Sequence, residues 1–258
     1  MNSSNTPPFQ SNNQQHQPAT MKRQLQPTMK TIILGASIAG LITAAANAAD
    51  VTWQTPKTIS DPSDVSTLGS YFGSWAPHGS GSFTINTVTF QNFSDLPSLT
   101  QNFQNNTGNN TYNNPGTSDA NYNDYMTSGA FQNDASSPSF GWGGMTIGDT
   151  YLVQLWVNDS RNSTTAQRTE SVTGGANTSA FLSYGPVGGA GQFIIGTFVA
   201  DATTESLSLN SGPNFPSAQL NLFQVRDITP VPEPSTLAFL AAGASAMFYG
   251  FRRKNRAI

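Results

Sequence analysis

The sequence predicts an all-β fold, an antiparallel β-sandwich or jelly roll, for residues 49–228, which we assign to one domain. In the segment GDTYLVQLWVND, Val153, Leu155 and Val157 alternate with residues of the other face, which is the period of a strand with one well-buried face. The segment GQFIIGTFVADA repeats this alternation. Turn-forming clusters separate such segments, and no long helical pattern intervenes, which favours antiparallel sheets over an α/β fold.

The remaining elements follow from shorter patterns. Further strands are predicted at residues 51–59, 69–75, 82–85, 88–93, 169–173, 179–184, 205–209 and 219–227. Asn86 and Thr87 would turn a hairpin between two of them. The Asn-rich residues 102–116 lack apolar periodicity and are predicted to form a surface loop, and a short helical turn is predicted within residues 121–131.

The composition suits one such domain. Of the 258 residues, 36% are hydrophobic, with 16 Phe, 7 Tyr and 4 Trp, which is enough apolar material for a β-rich core although only 10% are charged. The chain has no cysteine, which excludes disulfides, thiol nucleophiles and thiolate metal sites.

The first segment, residues 1–48, has the pattern of an extension followed by a secretory signal peptide. Basic residues precede the apolar stretch 32–46, and the stretch closes on the small residues Ala46 and Ala48. We therefore expect signal peptidase to cut between Ala48 and Ala49. A short amphipathic or buried helix is the alternative interpretation of the apolar stretch.

Charge is distributed unevenly along the chain. Between residues 49 and 230, four basic residues stand against thirteen acidic residues, a net charge of −9, and the other seven basic residues lie in the two terminal segments. Binding of nucleic acid needs clustered Lys and Arg that contact phosphates. The acidic body therefore predicts no nucleic-acid partner.

The last segment, residues 229–258, combines a short motif, an apolar run and a basic end. The motif residues are Val231, Pro232, Glu233, Pro234 and Ser235, and the basic residues are Arg252, Arg253 and Lys254. The apolar run, residues 237–251, would measure about 22 Å as a helix and predicts a short transmembrane helix. The positive-inside rule places its basic end in the cytoplasm, and the two prolines keep the motif extended outside the membrane.

In this order, the three parts resemble the PEP-CTERM sorting signal of bacterial exopolysaccharide-associated proteins. The resemblance implies that an exosortase, a membrane-embedded cysteine transpeptidase-like enzyme, recognises the motif and cleaves there. The chain is then expected to cross the inner membrane, to be anchored transiently by its C-terminal helix, and to reach the cell surface or the extracellular matrix. A plain C-terminal membrane anchor is the alternative.

The body is similar to the ectodomains that often precede this signal. The match covers residues 146–161, 191–210 and 219–226, which include TYLVQLWVNDSR and QLNLFQVR. The resemblance implies a β-sandwich like that of carbohydrate-binding modules, and it brings no established activity.

Few residues of the body suit catalysis or metal binding. His78 is the only histidine after the signal segment, and no Gly-x-Ser-x-Gly elbow accompanies it, so neither a Ser-His-Asp triad nor a multi-histidine zinc site is predicted. The acidic pairs match no ordered calcium loop and are predicted to be solvated turn residues; they are Asp61 with Asp64 and Asp119 with Asp124. We predict no enzyme, no cofactor and no metal. A glycoside hydrolase with two facing carboxylates is the minor alternative.

Exposed aromatic side chains would allow glycan binding. The aromatic residues in predicted loops are Trp75, Trp142, Tyr112, Tyr122 and Tyr125. Trp75 and Trp142 are the candidate glycan contacts, and packing inside the domain is the competing interpretation for each aromatic residue. The sequence therefore predicts an exported, envelope-sorted structural or adhesive protein of the extracellular polysaccharide matrix. The alternative is a carbohydrate-binding module that recognises an extracellular polysaccharide.

Overall fold

The structure is a computed structural model, and it describes residues 48–77, 81–91, 95–108, 110–162 and 168–231. All of them belong to the unit Thr43–Ile258. Within these ranges, no helix has the length and apolar character needed to cross a membrane. The predicted transmembrane helix, residues 237–251, lies outside the described residues, as does the predicted signal peptide up to residue 47.

The described part of the chain is built almost entirely from β-strands. The strands are β1 (Thr52–Trp53), β2 (Lys57–Thr58), β3 (Ser70–Trp75), β4 (Ser82–Ile85), β5 (Val88–Gln91), β6 (Thr100–Gln101), β7 (Asn105–Asn106), β8 (Ala130–Phe131), β9 (Ser139–Gly143), β10 (Thr150–Val157), β11 (Thr169–Gly174), β12 (Asn177–Thr178), β13 (Leu182–Ser183), β14 (Gln192–Val199), β15 (Thr204–Ser211), β16 (Gln219–Leu220) and β17 (Leu222–Asp227). One short helix, α1 (Ala120–Tyr125), and one 3-10 turn, Pro62–Asp64, interrupt them. The predicted all-β, antiparallel class is confirmed.

The first large sheet has the strand order β1-β14-β10-β17-β3, and β2 also pairs with β14. Every pairing in it is antiparallel. As the alternation predicts, Val153, Leu155 and Val157 of β10 are buried together in one cluster. The prediction of a single buried face is too narrow, because Leu152 and Trp156 on the opposite face are buried as well.

The second large sheet has the order β12-β11-β15-β9-β6, with β13 paired to β11. Strand β9, between β15 and β6, escapes the sequence pattern because glycines occupy alternate positions of Ser139–Gly143. Phe140 and Trp142 lie at the intervening positions and are buried. Gly141 has a packing reason, since a Cβ there would lie 2.8 Å from the carbonyl oxygen of Glu205 on β15.

Side chains from both large sheets contribute to a single hydrophobic cluster. The ring centroids of Phe140 on β9 and Phe223 on β17 are 4.8 Å apart, and those of Trp142 and Phe223 are 5.0 Å apart. These aromatic contacts join the two sheets, and burial of such large apolar surfaces is the main source of the stability of the fold.

A second cluster covers the other face of the first sheet. It contains Trp156 of β10 together with the β4–β5 hairpin and α1. The indole Nε1 of Trp156 donates to the hydroxyl of Tyr122 at 2.6 Å, so the polar atom of this buried ring is satisfied. The hairpin turns at Asn86 and Thr87, with φ of 46° and 65°, which confirms the predicted turn.

Several predicted boundaries need correction. The predicted strand 51–59 is two short strands, β1 and β2, which both pair with β14 on either side of residues 54–56. The predicted strand 179–184 shortens to β13, and 219–227 divides into β16 and β17. Within the predicted loop 102–116, β7 pairs with β8. The end of the predicted strand 88–93 lies outside the described residues.

Candidate functional site

The sorting motif follows directly on the last strand of the fold. After β17, the backbone of Ile228 donates to Thr150 at 2.8 Å, and the hydroxyl of Thr229 accepts from the backbone of Thr150 at 2.8 Å. Val231, the first residue of the predicted motif, is 87% exposed. The chain therefore leaves the folded body at Thr229 and presents the start of the motif to solvent. The other predicted motif and anchor residues lie outside the described residues; they are Pro232, Glu233, Pro234, Ser235, Arg252, Arg253 and Lys254.

The predicted signal cleavage site lies at the edge of the same fold. Ala46 is outside the described residues, Ala48 is half-buried, and Ala49 is 4% exposed. The backbone N–H of Ala49 donates to Oε2 of Glu205 on β15 at 2.8 Å. The chain beyond Ala48 is thus already part of the folded body.

Glu205 carries a buried carboxyl group beside Ala49. It is 3% exposed, and its Oε1 accepts from the backbone N–H of Ser206 at 2.8 Å. Burial raises the pKa of the Glu205 carboxyl to about 7, against the opposite effect of the two N–H groups, and the charge of Asp201 adds to the increase. Near neutral pH this group is close to its own titration midpoint.

A shallow depression of about 840 Å³ lies beside this segment. Its lining includes Ala48, Asp50, Thr150, Val199 and Asp201. The charged side chains among its lining residues are both acidic, which matches the net negative charge of the body. Among the described residues, no group of three or more His, Cys, Asp or Glu side chains could hold a metal ion.

Asn158 and Asp159, in the segment NDSR that ends the first matched stretch, belong to a buried polar network. Asp159 accepts from Nε of Arg161 at 2.7 Å and from Nη1 of Arg168 at 2.9 Å. Asn158 accepts from the backbone of Gly191 at 2.9 Å and donates to the carbonyl of Asn113 at 2.6 Å. Packing inside the domain therefore accounts for Asn158 and Asp159 of the matched pattern.

A second carboxyl group belongs to the same network. Glu170 is fully buried and accepts from the hydroxyl of Tyr184 and from the backbone N–H of Gln219. Burial raises its pKa to about 7, and both hydrogen bonds oppose this increase. The guanidinium of Arg168 lies 4.4 Å from the centre of the Tyr184 ring. These groups have little or no exposed surface, so none of them is accessible from solvent.

The predicted glycan contacts are corrected by the structure. Trp75 and Trp142 are 4% and 1% exposed, so neither indole face is available for stacking on a sugar. Both rings lie at inward positions of strands, where Trp75 packs against Phe103 and Phe140. The other aromatic candidates, Tyr112, Tyr122 and Tyr125, are buried too. The alternative of internal packing is correct for all five.

Three of the four residues in the predicted acidic pairs cap a helical turn. Asp61 accepts from the backbone of Ser63 at 2.9 Å, and Asp64 accepts from the backbone of Asp61 at 2.9 Å, which caps the 3-10 turn reciprocally. Asp119 accepts from the backbone of Tyr122 at 3.0 Å and caps α1. Asp124 lies within the same helix. The remaining candidate, His78, lies outside the described residues.

Comparison with known proteins identifies the C-terminal segment. The family model described as PEP-CTERM protein-sorting motif matches residues 230–254. The chain therefore carries this motif, which marks an exported protein that is sorted to the envelope and targeted to an exosortase. No curated protein matches the sequence significantly.

Solved structures offer only distant likenesses. The extracellular domain of ANXUR1 from Arabidopsis thaliana is 17% identical with a TM-score of 0.40, covering 64% of this chain and 51% of that chain. The plant receptor-like kinase ANX2 is 16% identical with a TM-score of 0.39, covering 71% and 52%. The chain spans about half the length of these proteins, and TM-scores this low support no conclusion about fold or function.

Proposed function

We propose that the chain is an exported structural or adhesive protein of the extracellular polysaccharide matrix. Its C-terminal segment holds it at the inner membrane until an exosortase processes it at the motif. The observation that carries this proposal is the match of residues 230–254 to the PEP-CTERM protein-sorting motif, immediately behind the last strand of an all-β body. The exposure of Val231 supports access of the processing enzyme to the motif.

The body is proposed to be a β-sandwich without enzymatic activity. The sandwich is supported by the aromatic contacts of Phe223 with Phe140 and Trp142, which join the two large sheets. The burial of two carboxyl groups supports the absence of activity. Asp159 is paired with Arg168, Glu170 has a raised pKa, and both side chains are buried inside a hydrogen-bonded network. A scaffold of this kind suits a load-bearing or adhesive role.

The sorting proposal is tested by separating retention from recognition. Deleting residues from Leu237 onward removes the apolar anchor, and we expect an unprocessed soluble protein. Replacing Pro232, Glu233 and Pro234 with alanine keeps the anchor and removes the recognition element, so we expect a full-length form that stays in the membrane. The measurement is an immunoblot of membrane and medium fractions from an exosortase-bearing host. Identical patterns for the wild type and the alanine variant would refute the sorting proposal.

The matrix role needs a separate measurement. The released protein is expected to co-sediment with the host's own exopolysaccharide and to move into the supernatant when that polysaccharide is digested. A strain that makes no exopolysaccharide serves as the control. If the fraction of the protein in the pellet is the same in both strains, a role in the matrix is contradicted.

A further inference from the structure

The chain that follows the predicted cleavage site is fixed to the fold at three successive residues. The N–H of Ala49 donates to Glu205, Oδ1 of Asp50 accepts from the backbone of Ala176 at 2.6 Å, and the N–H of Val51 donates to the carbonyl of Gly174 at 3.2 Å. The side chains of Ala49 and Val51 are buried in the main hydrophobic cluster. The hydrogen bonds and the buried side chains together fix the position of the Ala49 nitrogen.

The turn beneath this segment is shaped for its close approach. Gly175 adopts a φ of +61°, and a Cβ there would lie 2.7 Å from the carbonyl oxygens of both Ala48 and Ala49. Only glycine allows both the positive φ and the close approach of these carbonyl oxygens without strain. The β11–β12 turn therefore holds the segment in one register.

The carboxyl group that receives this N–H has no cationic partner in the described part of the chain. The ion pairs there both involve Asp159, with Arg161 and with Arg168. The charged side chains that line the depression beside the Ala49 segment are Asp50 and Asp201, which are both acidic. A buried carboxylate in such surroundings is costly unless a positive charge compensates it.

We propose that Glu205 is the binding site for the α-ammonium group of Ala49 that signal peptidase releases when it cuts after Ala48. Hydrolysis adds one water across the Ala48–Ala49 peptide bond and leaves a carboxylate on Ala48 and an ammonium on Ala49, so no other reactant is needed. The nitrogen that donates to Glu205 at 2.8 Å then carries the missing positive charge at the same place. This inference rests on the export contained in the proposed function and on the predicted cleavage after Ala48.

The hydrogen bond to Glu205 suits a cut at the Ala48–Ala49 peptide bond better than a cut at either neighbouring peptide bond. A cut one residue earlier would put the α-ammonium on Ala48, which is half-buried and whose nitrogen is not the atom that donates to Glu205. A cut one residue later would remove Ala49 and leave Glu205 without this donor. Of these three cuts, the one after Ala48 places the new α-ammonium on the nitrogen that donates to Glu205.

The first test measures the ionisation of the new N-terminus. The mature protein is purified after expression of the full-length gene with ¹⁵N-alanine, its first residue is determined by N-terminal sequencing, and the α-amino group is titrated by NMR. We expect an α-amino pKa at least about one unit above the ordinary 7.7–8.0, because a buried carboxylate favours the charged form. The Glu205→Gln protein should titrate at the ordinary value, and the Asp50→Asn protein should keep the raised value.

The second test moves the charge without changing the cleavage site. One alanine inserted between Ala49 and Asp50 shifts the α-ammonium by a residue and returns a neutral N–H to Glu205. The insertion is expected to raise the unfolding equilibrium constant about 10-fold or more, since hydrogen bonds to charged groups are the stronger ones. In the Glu205→Gln protein the same insertion should change it less than about 3-fold.

The outcomes separate this inference from the proposed function. A mature chain that begins at a residue other than Ala49 overturns the assigned cleavage and the ion pair together. A chain that begins at Ala49 but titrates ordinarily, or tolerates the insertion equally with Glu205 and with Gln at that position, overturns the ion pair alone and leaves sorting intact.

Discussion

Two buried carboxyl groups in one network have contrasting partners. Asp159 accepts from the guanidinium groups of Arg161 and Arg168, which compensate its charge. Glu170 accepts instead from a phenol and a backbone amide, which are neutral, and its Oε1 has no hydrogen-bond partner among the described residues. Burial without a directly paired cation explains why the pKa of Glu170 is raised.

This contrast predicts that Glu170→Gln stabilises the protein near neutral pH. Because the pKa of Glu170 is about 7 in the folded state and 4.5 in the reference state, the folded protein binds the proton more tightly. The contribution of Glu170 to stability is therefore largest below about pH 4.5 and is lost as pH rises through about 7, by up to about 3 kcal/mol. The neutral amide removes this loss. Urea unfolding between pH 4 and 8 measures it.

The control for this prediction is Asp134→Asn. Asp134 is exposed, and the hydrogen bond from the side chain of Ser136, then that from Gln104, lowers its pKa, so it titrates below the window of the experiment. Burial also raises the pKa of Glu205 to about 7. In Glu170→Gln protein that has not been cut after Ala48, the unfolding free energy therefore still depends on pH through Glu205. If Glu170→Gln does not reduce the change of the unfolding free energy with pH, Glu170 is ionised in the folded protein.

At the scale of elements, the β4–β5 hairpin carries local strain. Ile85 pairs with Val88, so Asn86 and Thr87 form a two-residue turn with positive φ at both positions. Asparagine tolerates this region, but threonine is β-branched and does so at a cost. Asn-Gly is the sequence that such a turn prefers.

We therefore predict that Thr87→Gly stabilises the protein by about 0.5–1 kcal/mol. Glycine relieves about 1–2 kcal/mol of left-handed strain and loses part of that through its greater freedom in the unfolded state. Thr87→Ala keeps a Cβ at the same φ and should bring little change. Chemical denaturation of the three proteins measures the difference, and a Thr87→Gly protein no more stable than Thr87→Ala would show that the turn is unstrained.

The elements differ in how far sequence predicts them, for physical reasons. β10 and the hairpin were accessible because their side chains alternate locally or favour a turn. β9 was not, since Gly141 and Gly143 hide the alternation of Phe140 and Trp142, and the same gap left Trp142 in a predicted loop. The contact of Ala49 with Glu205 joins residues 156 positions apart, so no local pattern could reveal it.

The candidate sites also differ in whether a local sequence pattern or a long-range contact defines them. The sorting motif is a linear signal, and residues 230–254 are recognised from sequence alone. The buried network needs the fold, because Arg168 reaches Ser217 and Glu170 reaches Gln219 across 49 positions. A search for acidic residues next to strand ends would have found Asp159, but not the partners that seal it.

At the scale of the whole molecule, the first large sheet is covered on both faces. Leu155 contributes to the cluster shared with the second sheet, and the next residue, Trp156, contributes to the cluster under the hairpin and α1. One strand, β10, thus links the two apolar layers. Loss of one layer should remove support from the other, which is the basis of a cooperative unfolding transition.

This architecture predicts that Leu155→Ala destabilises the protein by about 2–5 kcal/mol while unfolding remains a single transition. Leu155 is fully buried and lies opposite Ile194 on β14 and Phe223 on β17, where a truncated side chain leaves a cavity that the pleated neighbours cannot fill. Urea unfolding followed by tryptophan fluorescence and by far-UV circular dichroism should give coincident curves, shifted together to lower denaturant. Ile147→Ala, at a position 61% exposed, is the matched control and should change stability by less than about 0.5 kcal/mol. Two separate transitions would mean that the layers fold independently, and a change in Leu155→Ala as small as in the control would mean that β10 does not organise the core.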